Sequence, residues 1–230
     1  MPLLSIRDLK FSWPGASAPT LDLPSLDLAA GESLFLGGPS GAGKSTLLAT
    51  LSGVVDVPAK SVEIDGTDVG VLRGAARDRF RADHVGMIFQ VFNLVPWLNA
   101  VENVLLPCRF STVRRDRSGS DPIHTARALL SALKLDDASV LDKPASSLSV
   151  GQQQRVAAAR ALIGKPGLVL ADEPTSALDE DAKESFVSLL QQECRDSGAS
   201  LLFVSHDKSL APLFDRSLDI RDINAGGATR

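Results

Sequence analysis

Gly37-Gly38-Pro39-Ser40-Gly41-Ala42-Gly43-Lys44-Ser45-Thr46 is the stretch from which the rest of the chain can be read. Its core, Gly38-x-x-x-x-Gly43-Lys44-Ser45, has the spacing of a phosphate-binding loop. Glycines at 38, 41 and 43 let the backbone turn tightly and point successive N–H groups into a nest for phosphate oxygens. The helix expected from Lys44 onward presents its partial positive charge and unpaired N–H groups to the same anion. Lys44 has the reach for β- and γ-phosphates, and the Ser45 hydroxyl is a ligand for Mg²⁺. Around it lie the apolar run Ser33–Leu36 and a helical pattern, Leu47, Leu48 and Leu51, that closes at Gly53. This strand–loop–helix setting predicts a nucleotide-binding chain.

The 230 residues carry 24 Lys and Arg against 28 Asp and Glu, a net charge of −4, so no global basic field favours nucleic acid. The arginines at 73, 77, 79 and 81, and at 109, 114, 115 and 117, form local clusters with acids interspersed. Cys108 and Cys194 lack Cys-x-x-Cys spacing and read as reduced thiols. The N-terminal stretch has charges at 7, 8 and 10 and no apolar core of signal-peptide length. The longest uncharged run, Val85–Val101, is interrupted by Gln90, Asn93, Pro96 and Asn99. Direct insertion into a membrane is therefore not expected.

Leu4–Phe11 and Leu21–Leu28 read as strands separated by a turn-rich break, and Ser33–Gly37 as the strand that feeds the loop. Val62–Ile64 precedes an Asp65-Gly66 turn, residues 71–82 read as a charged helix, and Val85–Phe89 as a buried strand. Beyond about 92 the pattern turns helical, with a start at Asp121-Pro122. After Gly164 strands and helices alternate again: 168–172, 180–196, 200–205. That alternation predicts an α/β fold with a parallel sheet covered on both faces. The expected partition is one domain over 1–230, with an α/β core from 1–91 and 164–230 and an inserted helical block over 92–163.

Asp172 and Glu173 end a buried strand, Leu168–Asp172, where ligands of open parallel sheets bind. Asp172 suits Mg²⁺; Glu173 suits taking a proton from, or orienting, an attacking water. Ser149 followed by Gln152 is a capping-box pattern opening a helix that stops at Gly164. An ordinary capped helix and a second anion site at its N-terminus are both compatible with these residues.

Gly38–Ser45, Gln90, Leu148-Ser-Val-Gly-Gln152, Leu168–Glu173, Ser176-Ala177-Leu178-Asp179 and His206 stand in an order and spacing that resembles an ABC transporter ATPase subunit over nearly the whole chain. They match the Walker A, Q-loop, signature, Walker B, D-loop and H-loop motifs. The stretch from Gln90 to Val104, with Gln152-Gln-Gln-Arg155, looks most like the lipoprotein-release and macrolide-export branch. The resemblance implies a P-loop NTPase with a RecA-like parallel core, an N-terminal antiparallel β subdomain and an inserted α-helical subdomain. It implies ATP and Mg²⁺ as cofactors. Pro39, Ser40, Ala42 and Thr46 would join the loop's glycines, Lys44 and Ser45 in holding nucleotide, with Trp13 or Phe11 on adenine. Gln90 would contact Mg²⁺ or the attacking water, and His206 the γ-phosphate; Ser45, Gln90 and Asp172 would be the metal's residues. Ser149, Val150, Gly151 and Gln152 would act across a homodimer, with Ser176 to Asp179 at the interface. Val150 stands where the family has glycine. Separate integral-membrane permease subunits would be partners, placing the chain peripherally on the cytoplasmic face of the inner membrane. A soluble ABC ATPase or a weakly hydrolysing regulatory module are the alternatives.

Phe92, Leu94, Val95, Trp97 and Leu98 crowd the segment after Gln90 with neither helical nor strand spacing. Phe92 and Trp97 are expected to offer an apolar docking surface for a permease, rimmed by arginines.

Overall fold

The structure, a computed structural model, describes residues 2–226. β1 (Leu4–Phe11) and β2 (Leu21–Leu28) pair antiparallel, Leu4 opposite Leu28 and Phe11 opposite Leu21. β3 (Ser33–Gly37) enters the phosphate loop and α1 (Lys44–Leu51) leaves it. β4 (Val62–Ile64) pairs with β1, then turns through Asp65 and Gly66, at φ 50° and 72°, into β5 (Thr67–Asp68). Two consecutive left-handed residues match the twist of a tight hairpin. A 3₁₀ turn over Val69–Val71, capped by Asp68, delays the charged helix expected from 71. It begins as α2 (Gly74–His84), with no buried residue.

β6 (Val85–Ile88) leads to the helical block: α3 (Ala100–Phe110), α4 (Thr112–Arg117), α5 (Pro122–Ala132), α6 (Ala138–Leu141) and α7 (Val150–Leu162). Then come β7 (Leu168–Asp172), α8 (Glu180–Ser197), β8 (Ser200–Ser205), β9 (Arg216–Asp219) and α9 (Ile220–Ile223). β9 and α9 are elements that the hydrophobic pattern does not announce, since β9 has no buried residue. The antiparallel sheet runs β2-β1-β4-β5, and the parallel one β6-β7-β8-β3-β9.

Period-two alternation in the parallel strands decides which core each residue joins. Leu34, Leu36, Leu168, Leu170, Leu202 and Val204 pack with α1 and the antiparallel sheet. Phe35, Val169, Ala171, Leu201 and Phe203 face the other way, onto α7, α8 and the helical block. The sheet is thus covered on both faces, and the block at 92–163 shares its core with one of them.

Two local devices hold the block against the sheet. A Cβ on Gly86 would lie 2.3 Å from the Ala161 carbonyl oxygen, so only glycine permits α7 to approach β6 this closely. Buried Arg114 of α4 donates to the carbonyls of Ile163 (2.7 Å) and Ala161 (2.6 Å), a cation closing the C-terminus of α7. Desolvation lowers its pKa to about 10.

The irregular segment 91–98 also has a physical cause. The fully buried Asn103 side chain accepts from Val95 N (2.8 Å) and donates to the carbonyls of Val95 and Leu98, both at 3.1 Å. These bonds replace those of a helix or a ladder, so Pro96 is accommodated without breaking either.

Candidate active site

Parallel register brings the chemistry to one edge. Gly37 at the end of β3 pairs with Ser205 of β8, and Val204 with Asp172 of β7. Ile88 of β6 pairs with Ala171, so Gln90 emerges beside Glu173. A cavity of about 600 Å³ results. Pro39, Ser40, Gly41, Gly43, Lys44, Ser45, Thr46, Gln90, Glu173 and His206 line it, together with Thr20.

Gly38, Gly41 and Gly43 have φ of 149°, 80° and 98°, a region costly for any side-chain-bearing residue. At Gly38 space is also lacking, because a Cβ would meet Ile220 of α9 at 2.6 Å. Gly43 is the N-cap of α1 and offers no side chain to cap it, so the first N–H groups of the helix remain for a ligand.

Lys44 is buried, its ammonium donating to the carbonyls of Gly38 (2.7 Å) and Pro39 (2.9 Å), and lying 3.7 Å from Glu173 Oε1. These carbonyls hold the charge over the loop's concavity, where phosphate oxygens would meet it.

Ser45 Oγ donates to Asp172 Oδ1 over 3.2 Å. Burial raises the Asp172 pKa; the Ser45 hydrogen bond and Lys44 oppose the rise, and the Glu173 charge adds to it. A divalent cation relieves that penalty. Hydroxyl, carboxylate and the Gln90 amide are hard oxygen donors that suit Mg²⁺, which takes one or two protein oxygens and completes its shell with phosphates and water. No cluster of three His, Cys, Asp or Glu side chains competes as a metal centre among the described residues.

Glu173 sits at φ 47°, a left-handed conformation that turns its carboxylate into the cavity. Oε2 is 2.7 Å from His206 Nδ1 and 3.4 Å from Ser205 Oγ. The turn carrying His206 is itself pinned, because Asp207 pairs with Lys183 at 2.6 Å and accepts from Ser209. Those hydrogen bonds lower the Asp207 pKa to about 2.

Trp13 stands at the rim, 44% exposed, with Nε1 3.3 Å from Thr46 Oγ1. Phe11 packs partly into the core and meets Trp13 edge-on at 5.1 Å. Of the two aromatics, Trp13 is the one with a free face.

The remaining candidates lie outside the cavity. The Ser149 hydroxyl accepts from Gln152 N (3.3 Å), while Gln152 Oε1 accepts from Ser149 N (2.9 Å), a complete capping box. Val150 is the first residue of α7, 48% exposed, and a Cβ on Gly151 would meet nothing within 4 Å. Asp179 caps α8 through Ala182 N, with Ser176 and Ala177 exposed and Leu178 half-buried. Phe92 and Leu94 pack against the helical core, whereas Trp97 is 76% exposed.

Two contributors have no local signal. Thr20 follows the turn-rich break with nothing to mark it. Asn224 accepts from Asp22 N and donates to the carbonyls of Thr20 (3.1 Å) and Ala42 (3.3 Å), bracing the loop from beneath.

Residues 21–176 match the family model described as ABC transporter. The chain is 43% identical, over 82% of its length and 80% of the relative's, to the uncharacterized ABC transporter ATP-binding protein YbbA of Escherichia coli K12. It is 39% identical to Mb2593 of Mycobacterium bovis, described in the same words, covering 94% of this chain and 64% of that one. Among solved structures, the ATP-binding cassette MJ0796, a post-hydrolysis dimer bound to ADP and Pi, superposes with a TM-score of 0.82. That match has 31% identity and covers 99% of this chain and 97% of that one. A phosphate loop facing an acidic strand end on an ABC cassette fold, with a family match over most of the sequence, leads to one identification: this chain belongs to the ABC transporter family, as its ATP-binding subunit and ATPase, with ATP and Mg²⁺ as its cofactors.

Proposed function

We propose that the subunit works as a head-to-tail homodimer enclosing two ATP molecules, and drives a separate membrane permease of the lipoprotein-release or macrolide-export type. One observation carries the dimer. The cavity holds Lys44, Glu173 and His206 of its own chain, while Ser149–Gln152 present an exposed helix start to solvent elsewhere. A two-fold partner with the same two features completes both sites at once. The dimeric MJ0796 cassette supports this reading.

In that dimer Lys44 and the loop N–H groups bind the β- and γ-phosphates, and Trp13 stacks on adenine. Ser45, with Asp172 and Gln90, would hold Mg²⁺, which would supply charge neutralisation on the phosphates. Water attacks the γ-phosphorus, its proton passes to Glu173, and the bond to the β-phosphate oxygen breaks to leave ADP and phosphate. His206 orients Glu173 and meets the γ-phosphate. The partner's Ser149 hydroxyl, which uses one lone pair for its cap, keeps its own proton to donate.

For the permease, the supporting feature is a groove of about 720 Å³ between α2, β6 and α3. Met87, Phe89, Leu106 and Phe110 line it, and Arg79 and Arg81 stand beside them. Phe110 is 77% exposed. No helix among the described residues is long and apolar enough to cross a membrane; in this proposal a separate permease chain supplies the spanning part. Docking there places the subunit on the cytoplasmic face of the membrane. Phe110→Asp should abolish co-purification with a co-expressed permease and its stimulation of ATP turnover, with basal ATPase within about twofold of wild type, as expected for an exposed side chain outside the cavity. A permease that binds and stimulates the folded variant normally would contradict the docking site.

A further inference from the structure

The cavity's two catalytic loops are not held only by the strands that end in them. Both are tied from behind to α7, by side chains whose roles in binding or chemistry have not been assigned above. Gln154 is buried at 1% exposure and donates from Nε2 to the carbonyl oxygen of Pro174 at 2.8 Å. Pro174 directly follows Glu173. Six residues further along α7, Arg160 donates to the carbonyls of Phe92 (2.5 Å) and Asn93 (2.6 Å). These lie two and three residues after Gln90.

The segment Arg160 grips has an unusual backbone. Phe92 and Asn93 are both left-handed, at φ 35° and 51°, and neither is glycine. Consecutive side-chain-bearing residues adopt that region only where their surroundings impose it. The Asn93 N–H also folds back onto the Val91 carbonyl. Arg160 itself is half-buried at the edge of the groove between α2, β6 and α3, and no carboxylate pairs with it among the described residues. Desolvation alone lowers its pKa to about 10. A desolvated guanidinium satisfied by backbone carbonyls holds its place only while those carbonyls point at it, so the loop and the cation fix one another.

The far end of the same helix is the exposed Ser149–Gln152 turn, and its near end is clamped by Arg114. An α-helix is stiff over this length, so a displacement at one end is transmitted to side chains along it. We infer that α7 is a strut between the Ser149–Gln152 terminus and the two catalytic loops, with Gln154 and Arg160 as positioning residues that set Glu173 and Gln90 respectively. The inference rests on the proposed roles of Glu173 and Gln90 in hydrolysis. It predicts that neither tie contributes to holding the nucleotide, because Lys44 and the loop glycines stand on other elements.

The test uses Arg160→Gln, Arg160→Lys and Gln154→Leu in the full chain. ATP affinity is measured by equilibrium titration, kcat and KM by steady-state turnover, and folding by thermal midpoint. For Arg160→Gln and Gln154→Leu, kcat should fall about tenfold or more while ATP affinity stays within about twofold, the pattern of a lost transition-state arrangement. Arg160→Lys, which keeps the charge and one donor direction, should recover part of the loss. A folded Arg160→Gln or Gln154→Leu with wild-type kcat overturns the corresponding tie. Parallel loss of affinity, turnover and thermal stability shows a packing role only, and so does failure of all three variants to fold. Should Glu173→Gln itself turn over ATP normally, the underlying catalytic reading has failed instead, and the two failures are thereby told apart.

Discussion

Two helix N-termini in this molecule begin alike and are finished in opposite ways. α1 starts at Gly43, left-handed and without a side-chain cap, and its own chain surrounds it with Lys44, Glu173 and His206. α7 starts at Ser149, outside the cavity, where its hydroxyl and the Gln152 amide close a reciprocal cap and no acidic residue stands in the first turn. Leaving the first N–H groups of a helix unpaired costs stability unless an anion supplies partners. A serine cap contributes about 1 kcal/mol without any ligand. α1 is thus left open for a phosphate ligand, whereas α7 is closed on itself, which fits the intermittent contact proposed for it. The capped terminus holds its shape without a ligand, as the proposed dimer requires of a surface that meets nucleotide only when two subunits close.

The sharpest way to break this contrast is on the α1 side. Glu173→Gln keeps the shape of the side chain and removes the base, so hydrolysis should slow by ~10²-fold or more while ATP still binds. An ATP-bound dimer should then accumulate, visible by gel filtration in the presence of Mg²⁺ and ATP. Near-normal phosphate release would mean that another group takes the proton.

A smaller effect is expected at the rim of the same site. Trp13→Ala removes a stacking face and leaves the phosphate contacts, so ATP affinity should weaken by a few-fold to about tenfold, the ~0.5–1.5 kcal/mol of an aromatic contact. kcat at saturating ATP should stay close to wild type. An unchanged Kd in a binding titration would show that adenine lies elsewhere.

What could be read without coordinates follows the range of the interactions. Gly38 to Thr46, the Asp172-Glu173 strand end and the Ser149/Gln152 capping box are local, because each is decided by neighbours within a turn or a strand. The alternation in β3, β7 and β8 likewise declares a sheet covered on both faces. Asn224 under the phosphate loop and the ties from Gln154 and Arg160 join residues far apart in sequence, and no periodicity marks them. β9 stayed hidden because its side chains are half-exposed at the sheet edge. For docking, crowding of apolar residues suggested Phe92 and Trp97; Phe92 is partly covered by the helical core, while Trp97 stays 76% exposed. The proposed groove adds residues that crowding did not suggest, Met87 of β6, Phe89 just after it, and Leu106 and Phe110 of α3. Composition shows that apolar side chains are abundant there; only packing decides which of them remain uncovered.

In the proposed dimer one ATP needs α1 of one subunit and α7 of the other, and mixing two inactive variants tests this directly. Lys44→Ala should fail to bind ATP productively, and Ser149→Arg should bind ATP in its own loop yet not hydrolyse it, since the new side chain obstructs the partner's phosphates. A mixed dimer of the two carries one site with both Lys44 and Ser149 intact. ATPase activity of the mixture should therefore rise clearly above either parent, towards the fraction of mixed dimers formed. If mixed dimers form, as shown by differently tagged subunits, and activity stays at the level of the parents, the site is not shared between subunits.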